Sequence, residues 1–121
     1  IGRNRPARLH PWTEKRIFPG AQPPALSEFM RIFEPHDLSV LDVENLRLHY
    51  ARTLTDWKAL YDAAEDRVQA MFDARFVRMW RLYLAGSIAG FTTGSLQLFQ
   101  VLIAPRYNND LPQTRAHLYG A

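Results

Sequence analysis

Cysteine is absent from this chain of 121 residues. Without it, neither a disulfide framework nor a thiolate metal site can form within the chain. No apolar run reaches the roughly 18 residues that a membrane-spanning helix needs, and no signal peptide is visible. The four histidines are scattered along the sequence and suggest no metal site. Methionine is missing from the first position, where Ile1 stands, and we interpret the chain as starting within a longer protein.

Concentrated charge is missing as well. The formal net charge is only +3, and the densest basic group is Arg3, Arg5, Arg8, Lys15 and Arg16. We interpret this group as part of a solvated connecting segment, with attraction to anionic lipid headgroups as the alternative. No stripe of basic residues interleaves with aromatic ones, which argues against a nucleic-acid partner. The hydrophobic content of 47% is typical of a globular chain and not of a disordered one, so the chain can form a core, either alone or against a partner layer.

Proline divides the N-terminal part of the chain. Residues 1–24 contain five of the eight prolines, which predicts a linker or loop without regular structure. Residues 25–34 carry apolar side chains at helical spacing, and Pro35 ends that run. Residues 38–44 are rich in β-branched and aliphatic side chains, which predicts a strand.

The middle of the chain predicts two long helices and then a strand. Apolar residues fall on one stripe from Thr53 to Met71, and we expect Thr53 to cap that helix. A second, more apolar helix is predicted from Asp73 to Gly94. Residues 95–104 are apolar on both faces, as in an interior strand. Because two isolated strands make a poor sheet, we expect them to pair with strands supplied by other residues or by another chain.

Several short motifs, in order and spacing, resemble the cyclopropane fatty acid synthase family of S-adenosylmethionine-dependent methyltransferases. The resemblance extends over nearly the whole chain, including its last residues. The motifs are Arg16-Ile-Phe-Pro-Gly20, Asp42-Val-Glu44, Leu48-His-Tyr-Ala-Arg-Thr-Leu54 with Trp57, Arg75-Phe-Val-Arg-Met-Trp-Arg-Leu-Tyr-Leu84, Gln97-Leu-Phe-Gln100 and Leu111-Pro-Gln-Thr-Arg-Ala-His-Leu-Tyr119.

The resemblance implies an α/β fold, namely the C-terminal part of a Rossmann-like class I methyltransferase fold. Two strands would flank a long inserted helical pair. The family's glycine-rich turn after a strand is missing here, as are its catalytic carboxylate, histidine and cysteine, which lie upstream of the matched segment. We therefore expect residues 1–24 to be a linker and residues 25–121 to be the acyl-chain-binding part. S-adenosylmethionine would be bound by an upstream domain of the same protein.

The family reaction moves a methyl group from a sulfonium onto a cis double bond of a phospholipid acyl chain. A proton then leaves, and family members hold a bicarbonate ion as the base. Tyr50 matches the family tyrosine that donates a hydrogen bond to this bicarbonate, while a tyrosine that merely anchors a strand–helix corner is the alternative. His49 is expected to be structural, because neighbours on an extended segment point to opposite sides.

One face of the second predicted helix carries Tyr83, Ser87 and Phe91 at a spacing of four residues. In the family this helix lines the hydrophobic channel for the acyl chain, so the resemblance makes these residues substrate-binding. Plain core packing is the alternative for each of them. Gln100, a polar residue in an apolar strand, must find a hydrogen-bond partner if it is buried.

Three functions remain open from the sequence. The first is the C-terminal segment of a cyclopropane-fatty-acyl-phospholipid synthase, inactive alone, or of a relative that adds a methyl branch to the acyl chain. The second is a non-catalytic lipid-binding or accessory subunit that completes the methyltransferase of another chain. The third is a methyltransferase for soluble small molecules. Phospholipid acyl chains are the expected partners, with cytoplasmic location and peripheral contact with the inner membrane face, and a homodimer is left open.

Overall fold

The computed structural model describes residues 1–120, which form five α-helices and two β-strands together with two short 3-10 turns. The helices are α1 (Pro11–Arg16), α2 (Leu26–Met30), α3 (Arg47–Ala63), α4 (Glu65–Met71) and α5 (Ala74–Thr93). The strands are β1 (Leu38–Asn45) and β2 (Phe99–Pro105), and the 3-10 turns are Glu34–His36 and Arg115–Leu118. Among the described residues, no helix is both long and apolar enough to cross a bilayer.

The two strands form an antiparallel pair in which Leu38 lies opposite Pro105 and Asn45 lies opposite Phe99. Both predicted strands are confirmed, and an irregularity in the pairing occurs between Val40 and Asp42. The strands thus pair with each other, and together they form a two-stranded sheet within residues 1–120. The two strands have eight and seven residues.

Helices α3 and α5 pack side by side and supply most of the core. The predicted ends of the second helix are confirmed. The Asp73 carboxylate accepts the Phe76 backbone N–H at 2.6 Å, and Gly94 closes the helix at φ 86°. In this left-handed conformation a side chain is disfavoured, so glycine suits the position. The core between the helices is formed by Ala51, Leu54, Leu84 and Phe91.

Helix α3 starts at Arg47, six residues earlier than predicted, and the expected cap at Thr53 is wrong. The Thr53 hydroxyl lies inside the helix and donates to the His49 carbonyl at 3.3 Å. The effective start signal is Asn45, whose side-chain oxygen accepts the Arg47 backbone N–H at 3.0 Å. The helix also ends before Met71, because Ala64 leaves helical geometry and separates α3 from α4.

The N-terminal segment is more ordered than its prolines predict. Pro11 occupies the first turn of α1, where proline is tolerated, and His10 Nδ1 accepts the Trp12 backbone N–H at 3.3 Å. Residues Gly2 and Arg3 make isolated β-bridges to Gln97 and Ala25 respectively. The segment therefore folds against the rest of the chain instead of running free.

Charged groups fasten the two long helices to each other. Arg47 donates from Nη1 to the carbonyls of Phe91 and Thr92 at 2.6 and 2.7 Å, which places a cation at the C-terminal end of α5. At the other end, Arg81 binds Asp62 at 2.9 Å and Glu65 at 2.5 Å. Hydrogen bonds from Lys58 and Arg81 lower the pKa of Asp62 below its ordinary value.

Gln97 joins three parts of the fold and is 3% exposed. Its side-chain oxygen accepts from Asn45 Nδ2 at 2.8 Å, and its Nε2 donates to the Gly94 carbonyl at 2.7 Å. Its backbone exchanges two hydrogen bonds of 2.8 Å with Gly2. Gln97 thus connects the end of β1, the end of α5 and the N-terminus. The sequence had singled out Gln100, which is exposed and has no buried polar group to satisfy.

Replacing Gln97 by methionine is expected to lower the free energy of unfolding by about 1–3 kcal/mol, because it leaves a buried carbonyl and an amide without partners. Urea denaturation measures this change. Gln100→Met is the matched control, since the same substitution at an exposed position of the neighbouring strand should have little effect. Equal losses in the two variants would contradict the role of Gln97.

Candidate functional site

A cavity of about 810 Å³ lies between the α3–α5 pair and the N-terminal segment. All four residues that the sequence nominated, Tyr50, Tyr83, Ser87 and Phe91, line this one cavity. Most of the remaining lining side chains are apolar. A pocket of this size, with apolar walls and few polar groups, suits the binding of a small organic molecule or an acyl chain.

Tyr50 lies in the first turn of α3, where its backbone N–H donates to the Leu46 carbonyl at 2.9 Å. Its ring meets the rings of Phe91 and Trp57 edge to face, at centroid distances of 4.9 and 6.1 Å. These contacts hold the phenol against the cavity wall. Within residues 1–120 its hydroxyl has no hydrogen-bond partner, unlike that of Tyr61, which donates to the Val77 carbonyl. The Tyr50 hydroxyl is therefore available as a donor.

Burial raises the pKa of Tyr50 above its ordinary value, and the nearby Tyr83 raises it further. Burial disfavours the charged phenolate, and a second phenolate would repel it. Tyr50 thus keeps its proton throughout the physiological pH range. A protonated phenol can donate a hydrogen bond to an anion, which a phenolate cannot.

The inner face of α5 forms one wall of the cavity. Phe91 and Ser87 are 1% and 9% exposed, and Tyr83 is half-buried. Leu82 and Gly86 lie on the same wall but are exposed, which locates the opening of the cavity along this part of α5.

The opposite wall comes from the N-terminal segment, which the sequence had assigned to a linker. Leu9, Trp12 and Phe18 line the cavity from this side. The Phe18 ring meets the Tyr83 ring edge to face at 5.6 Å, so the two walls touch there. Phe18 lies within the Arg16-Ile-Phe-Pro-Gly20 motif. That motif was a signal for this wall, although proline content alone indicated a loop.

His49 is exposed and does not line the cavity. It was expected to point away from Tyr50 because of extended backbone, and that reason is wrong. Both residues lie in α3, where successive side chains are rotated by about 100°. Across residues 1–120, no three His, Asp or Glu side chains are grouped closely enough to hold a metal ion.

Comparison with solved structures identifies the class of this fold. A crystal structure of the mycolic acid cyclopropane synthase CmaA1, complexed with SAH and CTAB, superimposes with a TM-score of 0.73 at 25% identity. The match covers 76% of this chain and 32% of that one. The cyclopropane synthase MmaA2 from Mycobacterium tuberculosis gives a TM-score of 0.74 at 25% identity, over 77% of this chain and 33% of that one. The chain has the α/β class I fold of S-adenosylmethionine-dependent methyltransferases.

The family follows from the sequence profile described as mycolic acid cyclopropane synthetase, which matches residues 2–101. The chain belongs to this family of S-adenosylmethionine-dependent methyltransferases, and the predicted resemblance is confirmed.

Among curated relatives, a probable fatty acid methyltransferase of Pseudomonas putida is 37% identical over 109 residues, which are 88% of this chain and 28% of that protein. The tuberculostearic acid methyltransferase UfaA1 of Mycobacterium tuberculosis is 41% identical over 91 residues, 74% of this chain and 21% of that protein. The cyclopropane-fatty-acyl-phospholipid synthase of Escherichia coli K12 is 30% identical over 107 residues, 88% of this chain and 28% of that protein. The chain thus spans between a fifth and a third of the length of these relatives.

The raised pKa of Tyr50 predicts a late-titrating phenol. Since the folded pKa exceeds the ordinary value of 10.0, the unfolded chain ionises first as pH rises above that value. The stability that the neutral phenol contributes is fully present below pH 10.0 and is lost as pH passes through the folded pKa. The ultraviolet absorbance of tyrosinate during an alkaline titration measures the pH at which the tyrosines ionise.

Tyr50→Phe should remove a component that titrates above the ordinary range. Burial also raises the pKa of Tyr61, in the same helix but outside the cavity, so Tyr61→Phe should remove a second late component and leave that of Tyr50 in place. If Tyr50→Phe removes only absorbance that develops in the ordinary range, the buried environment assigned to this phenol is wrong.

Proposed function

We propose that this chain is the C-terminal, acyl-chain-binding segment of an S-adenosylmethionine-dependent methyltransferase. The enzyme would transfer a methylene to the cis double bond of a phospholipid acyl chain, as a cyclopropane-fatty-acyl-phospholipid synthase does. The observation that carries the proposal is the meeting of Tyr50, Tyr83, Ser87 and Phe91 at one mainly apolar cavity. Membership of the cyclopropane synthetase family supports the reaction class.

The acyl chain would lie along the α5 wall, with its double bond near the rings of Tyr83 and Phe91. Methyl transfer to an alkene makes positive charge develop on carbon, and an aromatic face attracts a cation by about 0.5–2 kcal/mol. Apolar walls exclude water, which would otherwise trap the carbocation as an alcohol. A proton then leaves the new methyl group, and its bonding electrons close the ring.

A bicarbonate ion would suit this site, because Tyr50 lines the cavity, its hydroxyl has no hydrogen-bond partner in residues 1–120, and none of the lining residues is acidic. Tyr50 would hold the ion by donating to one of its oxygens. When bound, bicarbonate supplies the base for the departing proton. The raised pKa of Tyr50 keeps the hydroxyl in its donating form.

The cofactor site would belong to an upstream part of the same protein. β1 is followed by Leu46 and β2 by Arg106, so neither described strand leads into a glycine-rich turn. We therefore assign no S-adenosylmethionine contact to residues 1–120. The small share of each relative that this chain matches is consistent with such a division.

The sheet also supports an upstream partner. Apolar side chains on both strands, among them Val40, Val43 and Leu102, keep exposures of 37–42%. Gly2 pairs with Gln97, two residues before the start of β2, in antiparallel geometry. Residues that precede Ile1 in a longer chain would continue this pairing along β2. The sheet would thereby gain strands and its exposed apolar side chains would gain cover.

Lipid analysis tests the reaction. Cells that express the longer protein containing this chain should accumulate phospholipid acyl chains heavier by one CH₂, detected by mass spectrometry. Upfield proton signals of a three-membered ring should accompany them. The absence of any such gain in mass would refute the lipid substrate.

In the same protein, Tyr50→Phe should lower turnover by about 10²-fold or more, as expected when a positioned hydrogen-bond donor to an anion is lost. Its affinity for S-adenosylmethionine should stay unchanged, because that site lies elsewhere. Tyr61→Phe is the matched control on α3 and should retain near-normal turnover. A near-normal rate for Tyr50→Phe would remove this hydroxyl from the mechanism.

A second candidate function is the formation of a methyl branch without ring closure, and one relative supports it. Identity to the tuberculostearic acid methyltransferase is 41%, against 30% to the cyclopropane synthase of Escherichia coli. Here the proton would leave a different carbon, so that the product keeps a carbon–carbon double bond and no ring forms. The proton signals of the product distinguish the two outcomes. In both cases the substrate is a lipid, so peripheral contact with a membrane is part of the proposal.

A further inference from the structure

Arg3 is held at the cavity by its backbone. Its N–H donates to the Pro24 carbonyl at 2.9 Å, and its own carbonyl accepts from Leu26 at 3.1 Å. The preceding Gly2 is equally confined, because a Cβ added there would meet the Pro24 oxygen at 3.1 Å and the Phe99 ring at 3.3 Å. These contacts fix where the Arg3 side chain starts, at the border between the N-terminal segment and β2.

The side chain of Arg3 carries an unmet hydrogen-bonding need. Its Nε is fully buried and has no partner among residues 1–120, although the residue as a whole is only half-buried. Guanidinium groups stay charged at all physiological pH values. A buried donor on a charged group without an acceptor is costly. Arg3 also lines the cavity, so an anion held there would supply an acceptor that this side chain lacks.

The chemistry of the cavity defines that acceptor. None of its lining residues is aspartate or glutamate, so Arg3 is not neutralised by a carboxylate of the wall. Apolar side chains such as Leu9, Leu54 and Leu96 line the same cavity. A cation in such surroundings attracts an anion more strongly than it would in water, because apolar walls screen charge poorly. A ligand that satisfies both features has an apolar chain and an oxyanion.

We propose that Arg3 is the anion-binding residue of the cavity and that it holds the oxyanion of an acyl lipid, a carboxylate or a phosphate. This assignment rests on the proposed acyl-chain function and adds to it a headgroup contact. Arginine suits the task because its planar fork donates two parallel hydrogen bonds to either oxyanion. The apolar cavity would take the chain, while Arg3 would select lipids whose anionic group lies within reach.

Binding of three ligands with the same chain tests the proposal: oleate, oleyl phosphate and the neutral oleyl alcohol, each kept below its micelle concentration. Trp12 lines the cavity, so tryptophan fluorescence reports occupancy. At least one of the two anions should bind about tenfold or more tightly than the alcohol, the ratio expected for a charge-assisted hydrogen bond. Whichever anion is preferred identifies the source as carboxylate or phosphate.

Arg3→Gln should abolish the preference for the anion and leave the affinity for oleyl alcohol unchanged. Arg5→Gln is the matched control, because Arg5 is exposed and does not line the cavity. Arg3→Lys keeps the charge without the planar fork and should retain part of the preference. Far-ultraviolet circular dichroism of each variant separates a binding effect from loss of the fold.

Four results would overturn the assignment. Equal affinities for anion and alcohol would exclude an anion site while leaving the acyl-chain cavity intact. Equal effects of Arg3→Gln and Arg5→Gln would show that the preference comes from general charge. A response to sodium bicarbonate alone that depends on Arg3, without any preference among the lipids, would assign Arg3 to the free ion. If none of the three lipids binds, both this assignment and the proposed function fail.

Discussion

The hydrogen bonds of the buried Gln97 are the constraint on which the site depends. They fix the end of β1, through Asn45, against the end of α5, through Gly94. Since α3 begins two residues after Asn45, the same bonds set where Tyr50 stands relative to the wall of α5. The backbone of Gln97 also ties down Gly2, so the entry of the N-terminal segment is fixed from the same point. Both walls of the cavity are thus positioned from one side chain and its backbone.

The α3–α5 pair works as a stiff frame because its ends are fastened by different means. At one end Arg47 donates a hydrogen bond to a carbonyl in the last turn of α5. At the other end Arg81 forms ion pairs with Asp62 and Glu65. Between them the core residues Leu54, Leu84 and Phe91 are almost fully buried. A frame that cannot slide keeps Tyr50 and Phe91 in edge-to-face contact, which matters because a donor must stay aimed if it is to hold an anion.

The sequence predicted the helices and strands well where the signal was local. Asp73 marks the start of α5 and Gly94 marks its end, through capping interactions that act within a few residues. Both ends were predicted correctly. The start of α3 was missed because Asn45 closes β1 and opens the helix at once, whereas Thr53 offered a more familiar capping pattern. Gln97 was overlooked in favour of Gln100, since burial in a short strand depends on contacts with distant residues.

The site residues were predicted from resemblance and spacing, and the structure brings them to one cavity. Periodicity alone indicates that Tyr83, Ser87 and Phe91 share a face, but not what that face meets. The opposite wall was out of reach of such reasoning. Its residues come from a stretch rich in proline, and Arg3 acquires its surroundings only through the bridges to Gln97 and Ala25 of the folded chain.

The bridge between Arg3 and Ala25 affects how the cavity can change in evolution. It closes residues 4–24 into a loop whose two ends are pinned side by side. Lengthening a closed loop costs little, about 0.6 kcal/mol for each doubling of its length. Insertions or deletions in this loop can therefore enlarge or reduce the cavity without disturbing the α3–α5 pair. One wall of the cavity can therefore change in size while the residues of the α5 wall stay in place.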